Sequence, residues 1–208
     1  MLKNIRIMVF LKPPQELNED FYAIHKYLKS QFGSIYKTFY KRQWHSHIRL
    51  FGGTFFKKDE NKLIEIVKNT VMSKPINIKF SEVFYQKGYL MLKTTEETNA
   101  KCLIIYENLS GRLLPLRSNH IRAKYKKIDY KLSKAEKLRL QNTGTIYDYY
   151  AHLSLGAFVK PYILKDFESI LNFSDILKTE FNCNEYYIEI TDINHEYKKV
   201  YGPFKLSA

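Results

Sequence analysis

Apolar residues fall into short blocks along the chain, and the spacing inside each block predicts its structure. The run "NIRIMVFL", 4–11, reads as a first strand, and 13–32 follows with Leu17, Phe21, Ile24 and Leu28 at helical spacing. "HIRLFGG", 47–53, predicts a short strand ended by two glycines, and "DENKLIEIVKNTVM", 59–72, sets Leu63, Val67 and Val71 on one helical face. The opening order is β-α-β-α.

Two more strands are predicted at 76–85 and 88–94, joined near Gln86–Gly88. A helix follows from about 96 to 109, with acidic residues in its first turn. "LLPLRSNHIRA", 113–123, fits no single period, whereas "LSKAEKLRLQ", 132–141, opens with Ser133 and places Glu136 three residues later, a capping-box pattern. The rest reads as a strand over 149–158, a helical segment over roughly 164–180, and two strands, 185–193 and 199–206, closing a hairpin through "NHEY". No tandem repeat and no low-complexity linker interrupts this alternation. Each half of the chain carries strands, helices and one histidine-bearing strand that ends at glycine. The expectation is α+β, two similar lobes facing one another within one bilobal unit, 1–208.

Composition sharpens this picture. The 208 residues are 45% hydrophobic and 15% aromatic with few Gly and Pro, a composition that folds around a core. The net charge of +13 favours a polyanionic partner, which charge alone leaves open among RNA, DNA, a nucleotide and an anionic membrane. A lysine-rich solvated surface is the competing explanation. The two cysteines, Cys102 and Cys183, form neither a disulfide framework nor a Cys-x-x-Cys metal pattern, and "IMVFL" is too short to span a bilayer. The chain reads as cytoplasmic, with no membrane association and a monomer favoured.

The chemistry concentrates in two segments, "QWHSHIRLFGG" (43–53) and "DYYAHLSLGAF" (148–158). In a strand, residues two apart share a face, so His47 sits with Arg49 and His152 with Ser154, while Ile48, Leu50, Leu153 and Leu155 face the core. Two imidazoles across a cleft supply what acid–base cleavage of a phosphodiester needs, one taking a proton and the other giving one. Arg49 and Ser154 would hold the non-bridging oxygens, and no metal or cofactor is required.

"HIRL" and "HLSL", 105 positions apart (152 − 47), resemble the paired His-x-Thr/Ser-apolar motifs of the two-histidine (2H), LigT-like phosphoesterases. The resemblance extends to the two strands after the second helix, to the terminal "EYYIEITDINHEYKKVYGPFKL", and to the approach "LSKAEKLRLQNTGTIYDYY" to the second motif. It implies a bilobal α+β fold, two pseudo-symmetric lobes of antiparallel sheet with outer helices and a central cleft. It also implies a phosphodiesterase acting on RNA 2′,3′-cyclic ends, 2′-5′ linkages, or small linear or cyclic oligonucleotides. One position departs: Arg49 stands where the family has Thr or Ser, exchanging a hydroxyl for a charged bidentate fork. A cleft that binds RNA or a nucleotide without cutting it is the alternative this departure raises, and a basic nucleic-acid-associated protein with structural histidines is a further one.

Neighbouring residues complete the candidate site. His45 shares a face with His47 and is assigned a supporting or surface role, a His-x-His metal site being the lesser alternative without a third ligand. Trp44 and Tyr149 are candidate base-stacking residues, whereas Phe51 and Tyr150 are assigned to the core, each read as facing away from its histidine. From Arg117 to Arg139, nine basic residues face two acidic ones, with Tyr125 and Tyr130 among them; His120, Arg122 and Lys124 are the candidate substrate contacts there. A solvated face is the competing account of that run. His25 and His195 are expected at the surface.

Overall fold

The computed structural model describes residues 4–33, 47–86, 88–117, 132–135, 137–138, 149–158, 165–168, 171–192 and 198–206. Their order is β1 (Asn4–Leu11), α1 (Gln15–Phe32), β2 (Ile48–Phe56), α2 (Glu60–Lys68), β3 (Ile76–Gln86), β4 (Tyr89–Thr94), α3 (Glu96–Leu113), β5 (His152–Ala157), α4 (Lys165–Glu168), α5 (Phe173–Leu177), β6 (Glu180–Cys183), β7 (Glu185–Asp192) and β8 (Lys198–Lys205). Short 3₁₀ turns precede α2 and follow α3.

The eight strands form one sheet in the order β6-β3-β4-β5-β2-β1-β7-β8, and every pairing is antiparallel. The order is the same read from either end if β5 is exchanged with β2, β4 with β1, β3 with β7 and β6 with β8. Two four-stranded halves therefore meet at the centre, and their ladder there is the single pair Ile48–Leu153. The fold is the α+β, two-lobed antiparallel arrangement expected from the motifs.

One face of the sheet is the core. Ile5, Ile7, Val9 and Leu11 from β1, Ile48 and Leu50 from β2, Leu153 and Leu155 from β5, and Ile188 and Ile190 from β7 are all buried there beneath α1 and α3. Each helix reaches across the joint to the other half. Helix α1 follows β1 yet packs on β5, its Phe32 meeting Phe158 and Phe167, and α3 follows β4 yet packs on β2, its Tyr106 lying against Phe51. A sheet held at its centre by one residue pair thus gains apolar burial across the joint.

Several boundaries differ from the sequence expectation. Strand β2 runs on through Gly52 and Gly53 to Phe56, because both glycines pair with β1. A side chain at Gly53 would meet the Phe55 ring at 2.8 Å, so this glycine makes room for aromatic packing and does not end the strand. The segment expected to be helical over 164–180 contains α4 and α5 and ends at the first residue of β6, which pairs with β3 from Ile76 to Lys79. Helix α3 runs four residues further than expected, to Leu113, and α2 stops at Lys68. Strands β7 and β8 pair as the closing hairpin requires, while "NHEY" lies outside the described residues, as do 136 and 139–141 of the segment 132–141, whose residues 134, 135, 137 and 138 are helical.

His25 corrects an expectation: it is 7% exposed on the buried face of α1, beside Tyr22. Burial, with Lys29 adding to it, lowers its pKa to about 4. His195 lies outside the described residues. Among the described residues no helix is long and apolar enough to cross a membrane.

Candidate active site

Strands β2 and β5 set the site. Ile48 opposes Leu153, and both side chains are fully buried on the core face. Continuing that antiparallel register by one residue each way sets Arg49 opposite His152 and His47 opposite Ser154, all four on the face away from the helices. His47 and His152 are then diagonal neighbours across the joint, with Arg49 and Ser154 on the other diagonal. Arg49 is exposed, and the other three are half-buried.

A bulge preserves this arrangement. Val9 pairs with Phe51 and Phe10 with Arg49, so Leu50 is the extra residue, and Leu50 and Phe51 both turn inward. Strict alternation from His47 would bring Phe51 onto the open face; the bulge sends it to the core, where it meets Phe55, Tyr106 and the Arg117 guanidinium.

The imidazole of His152 is oriented by its own chain. Its Nδ1 lies 3.0 Å from the Tyr150 carbonyl, which can only accept, so Nδ1 carries the proton and Nε2 keeps its lone pair. Burial is the main reason its pKa falls to about 4; the Tyr150 carbonyl opposes the shift and the Arg49 charge adds to it. At neutral pH His152 is therefore a base with Nε2 available. His47 packs against the Phe10 ring, their centroids 5.2 Å apart.

Helix α3 positions the second motif from below. The Ala151 amide donates to Asn99 Oδ1 at 2.7 Å, and the Ala151 carbonyl accepts from the Thr94 hydroxyl and amide at 2.9 and 3.2 Å. Thr95 caps α3, its hydroxyl accepting from the Thr98 amide, and so fixes the first turn that carries Asn99. Tyr149 stacks on Tyr106 at 4.4 Å and donates its hydroxyl to the Arg49 carbonyl at 3.1 Å, linking the two motifs through the backbone. Burial is the main cause holding its phenol well above the usual range.

The two tyrosines exchange the places the sequence reading assigned them. Tyr149, a candidate stacking residue, packs against the core and α3. Tyr150, assigned to the core, lies on the open side 5.2 Å from the His152 ring, edge-on to Phe84, with its hydroxyl donating to Gln86 Oε1 at 3.2 Å. The signal was present in the sequence, since Tyr150 stands two residues before His152 and shares its parity. Asn99 and Thr94 carried no such signal, because their contacts with residue 151 cross 52 and 57 positions. Trp44, His45, His120, Arg122 and Lys124 lie outside the described residues, as does most of the basic run. Among the described residues no cluster of His, Cys, Asp or Glu could hold a metal ion.

With this geometry in place, comparison with solved structures shows the fold. E. coli LigT in its apo form aligns over 99% of this chain and 99% of its own, with a TM-score of 0.54 at 8% identity. E. coli LigT complexed with 3′-AMP aligns over 99% and 100%, with 0.53 at 9%. TT0787 of Thermus thermophilus aligns over 97% of both chains, with 0.53 at 10%. The chain has a LigT-like fold. No family model matches the sequence. No curated protein matches it either.

Proposed function

We propose that the protein is a two-histidine phosphodiesterase acting on RNA ends or small oligonucleotides, with the two lobes as one catalytic unit. The observation that carries this reading is the central pair Ile48–Leu153, whose register gathers His47, Arg49, His152 and Ser154 on one open face. The LigT-like fold supports it.

His152 is the base in the direction of cleavage, because its Nε2 is unprotonated at neutral pH. It takes the proton of a water or sugar hydroxyl as that oxygen bonds to phosphorus. The P–O bond to the leaving group then breaks, and His47, in its protonated form, gives that oxygen a proton. The roles reverse for the opposite direction. Arg49 and Ser154 face the non-bridging oxygens, where the guanidinium fork and the hydroxyl stabilise the charge that builds on the phosphorane. The reaction is complete in protons with these two imidazoles.

Arg49 beside His152 also favours a second reading, a cleft that binds phosphate without turnover, since a cation opposes protonation of the neighbouring imidazole. Product formation separates the two. The experiment is hydrolysis, in EDTA, of 2′,3′-cyclic nucleotides and of 2′-5′ and 3′-5′ oligoadenylates by wild type, His47→Ala and His152→Ala. Turnover lost in both variants, each folded by circular dichroism, is the expected result; an alanine variant with full activity overturns the assignment.

A further inference from the structure

The site extends along the sheet beyond the four motif residues. Across β7, β1, β2, β5, β4 and β3, one row on the face away from the helices runs Tyr187, Phe10, Arg49, His152, Lys93, Glu82; each step is in a ladder except Arg49–His152, which continues the pair Ile48–Leu153 by one residue, and Phe10 within it is fully buried. The row beside it, read from β3 back to β7, runs Phe84, Met91, Ser154, His47, Lys12, Glu185. Its Phe84–Met91 and Met91–Ser154 pairs are in the ladders, and its remaining steps continue by one residue the pairings Leu153–Ile48, Leu11–Ile48 and Leu11–Tyr186.

The two rows are chemically the same sequence. Each has an aromatic ring, an apolar residue, a phosphate-binding group, a histidine, a lysine and a glutamate, and the exchange of halves maps one onto the other. Lys93 therefore stands beyond His152 as Lys12 stands beyond His47.

From the geometry of these rows, and resting on the phosphodiesterase reading, we infer that Lys12 and Lys93 bind the phosphates that flank the scissile one, so that the substrate is an oligonucleotide lying across the sheet. Three observations carry this. First, the joint between β2 and β5 is one and a half strand spacings from β1 and from β4, about 7 Å on each side, which is close to the span from one phosphate to the next along a nucleotide chain. Second, Lys93 is exposed and Lys12 half-buried, and the contacts of their ammonium groups include ones a phosphate can replace: Lys93 Nζ lies 2.7 Å from Glu82 Oε1, with both side chains about half exposed, and Lys12 Nζ lies 4.3 Å from the Tyr187 ring centroid. Third, the symmetry places one cation on each side of the centre. A mononucleotide has no phosphate on either side of its reacting one and would leave both lysines without a ligand.

The test compares a linear oligonucleotide whose scissile linkage has a phosphodiester on each side with a dinucleoside monophosphate that has only the scissile phosphate. Binding is measured by competition against a fluorescent oligonucleotide, and turnover alongside, for wild type, Lys12→Gln, Lys93→Gln and the double variant. The expected result is an extra loss of about fivefold per lysine on the oligonucleotide relative to the dinucleoside monophosphate. The slope of log affinity against log salt falls by about 0.7 for each lysine removed. Glu82→Gln, which releases Lys93, moves oligonucleotide affinity the other way.

Equal losses on both substrates, or no loss, overturn the inference. His47→Ala and His152→Ala keep the two ideas apart: turnover lost in both with no lysine discrimination sinks the flanking-phosphate assignment alone. Discrimination in binding without turnover in wild type upholds the lysines and sinks the phosphodiesterase reading.

Discussion

Arg49→Gln is the perturbation that most directly tests how the site sets the protonation of its base. Arg49 and His152 belong to opposed positions on adjacent strands, and the Arg49 charge acts on the imidazole, so a separation of about 6 Å between the charged groups is taken for the calculation. Two unit positive charges at that distance repel by about 0.7 to 1.4 kcal/mol at effective dielectric constants of 80 to 40, the range suited to an exposed arginine. At about 1.4 kcal/mol per pH unit, removing the charge raises the pKa of His152 by roughly half to one unit. Burial, the larger cause, is untouched by the substitution, so the value climbs from about 4 without reaching the ordinary 6.5. The assay follows the His152 ring proton by NMR through a pH titration of wild type and variant. An unchanged titration would show that the Arg49 charge does not reach His152. Full recovery to 6.5 would show that charge, not burial, dominates, and either result refutes the argument.

Stability against pH gives a further check, because His25 and His152 both have pKa values lowered from 6.5 to about 4. The unfolded chain takes up their protons below 6.5 while the folded chain does not until about 4, so stability present above that window is lost as pH falls through it. His25 alone accounts for about 2 kcal/mol between pH 7 and pH 5. Urea unfolding at the two values should show a smaller decrease in His25→Gln, and an equal decrease would exclude the buried histidine as its source. Asn99→Ala leaves the buried Ala151 amide without its acceptor, which costs about 1 to 3 kcal/mol and loosens the approach to His152. We expect kcat to fall with KM nearly constant and Asn99→Asp to restore part of it; a lower unfolding midpoint with normal kcat would mean that Asn99 serves stability alone.

The sequence by itself determined most of the elements, though not β6, and the facing of the motif residues within each strand. Periods of 2 and 3.6 marked β1, α1, β3 and β4 to within about two residues, because their buried faces are regular. His47 with Arg49 and His152 with Ser154 were legible for the same reason, since facing within one strand follows from parity. Tyr150 was legible too, since it shares the parity of His152. What only the tertiary structure decided were the relations between strands far apart in the chain. The Ile48–Leu153 pair brings the motifs together across 105 positions, the Leu50 bulge reverses the facing of Phe51, and Asn99 holds the backbone at Ala151. Lys12 and Lys93 belong to the same class: nothing local distinguishes them from other lysines of a chain with 34 basic residues. Register sets their places beside the histidines, and register arises from long-range pairing, which local periodicity does not encode.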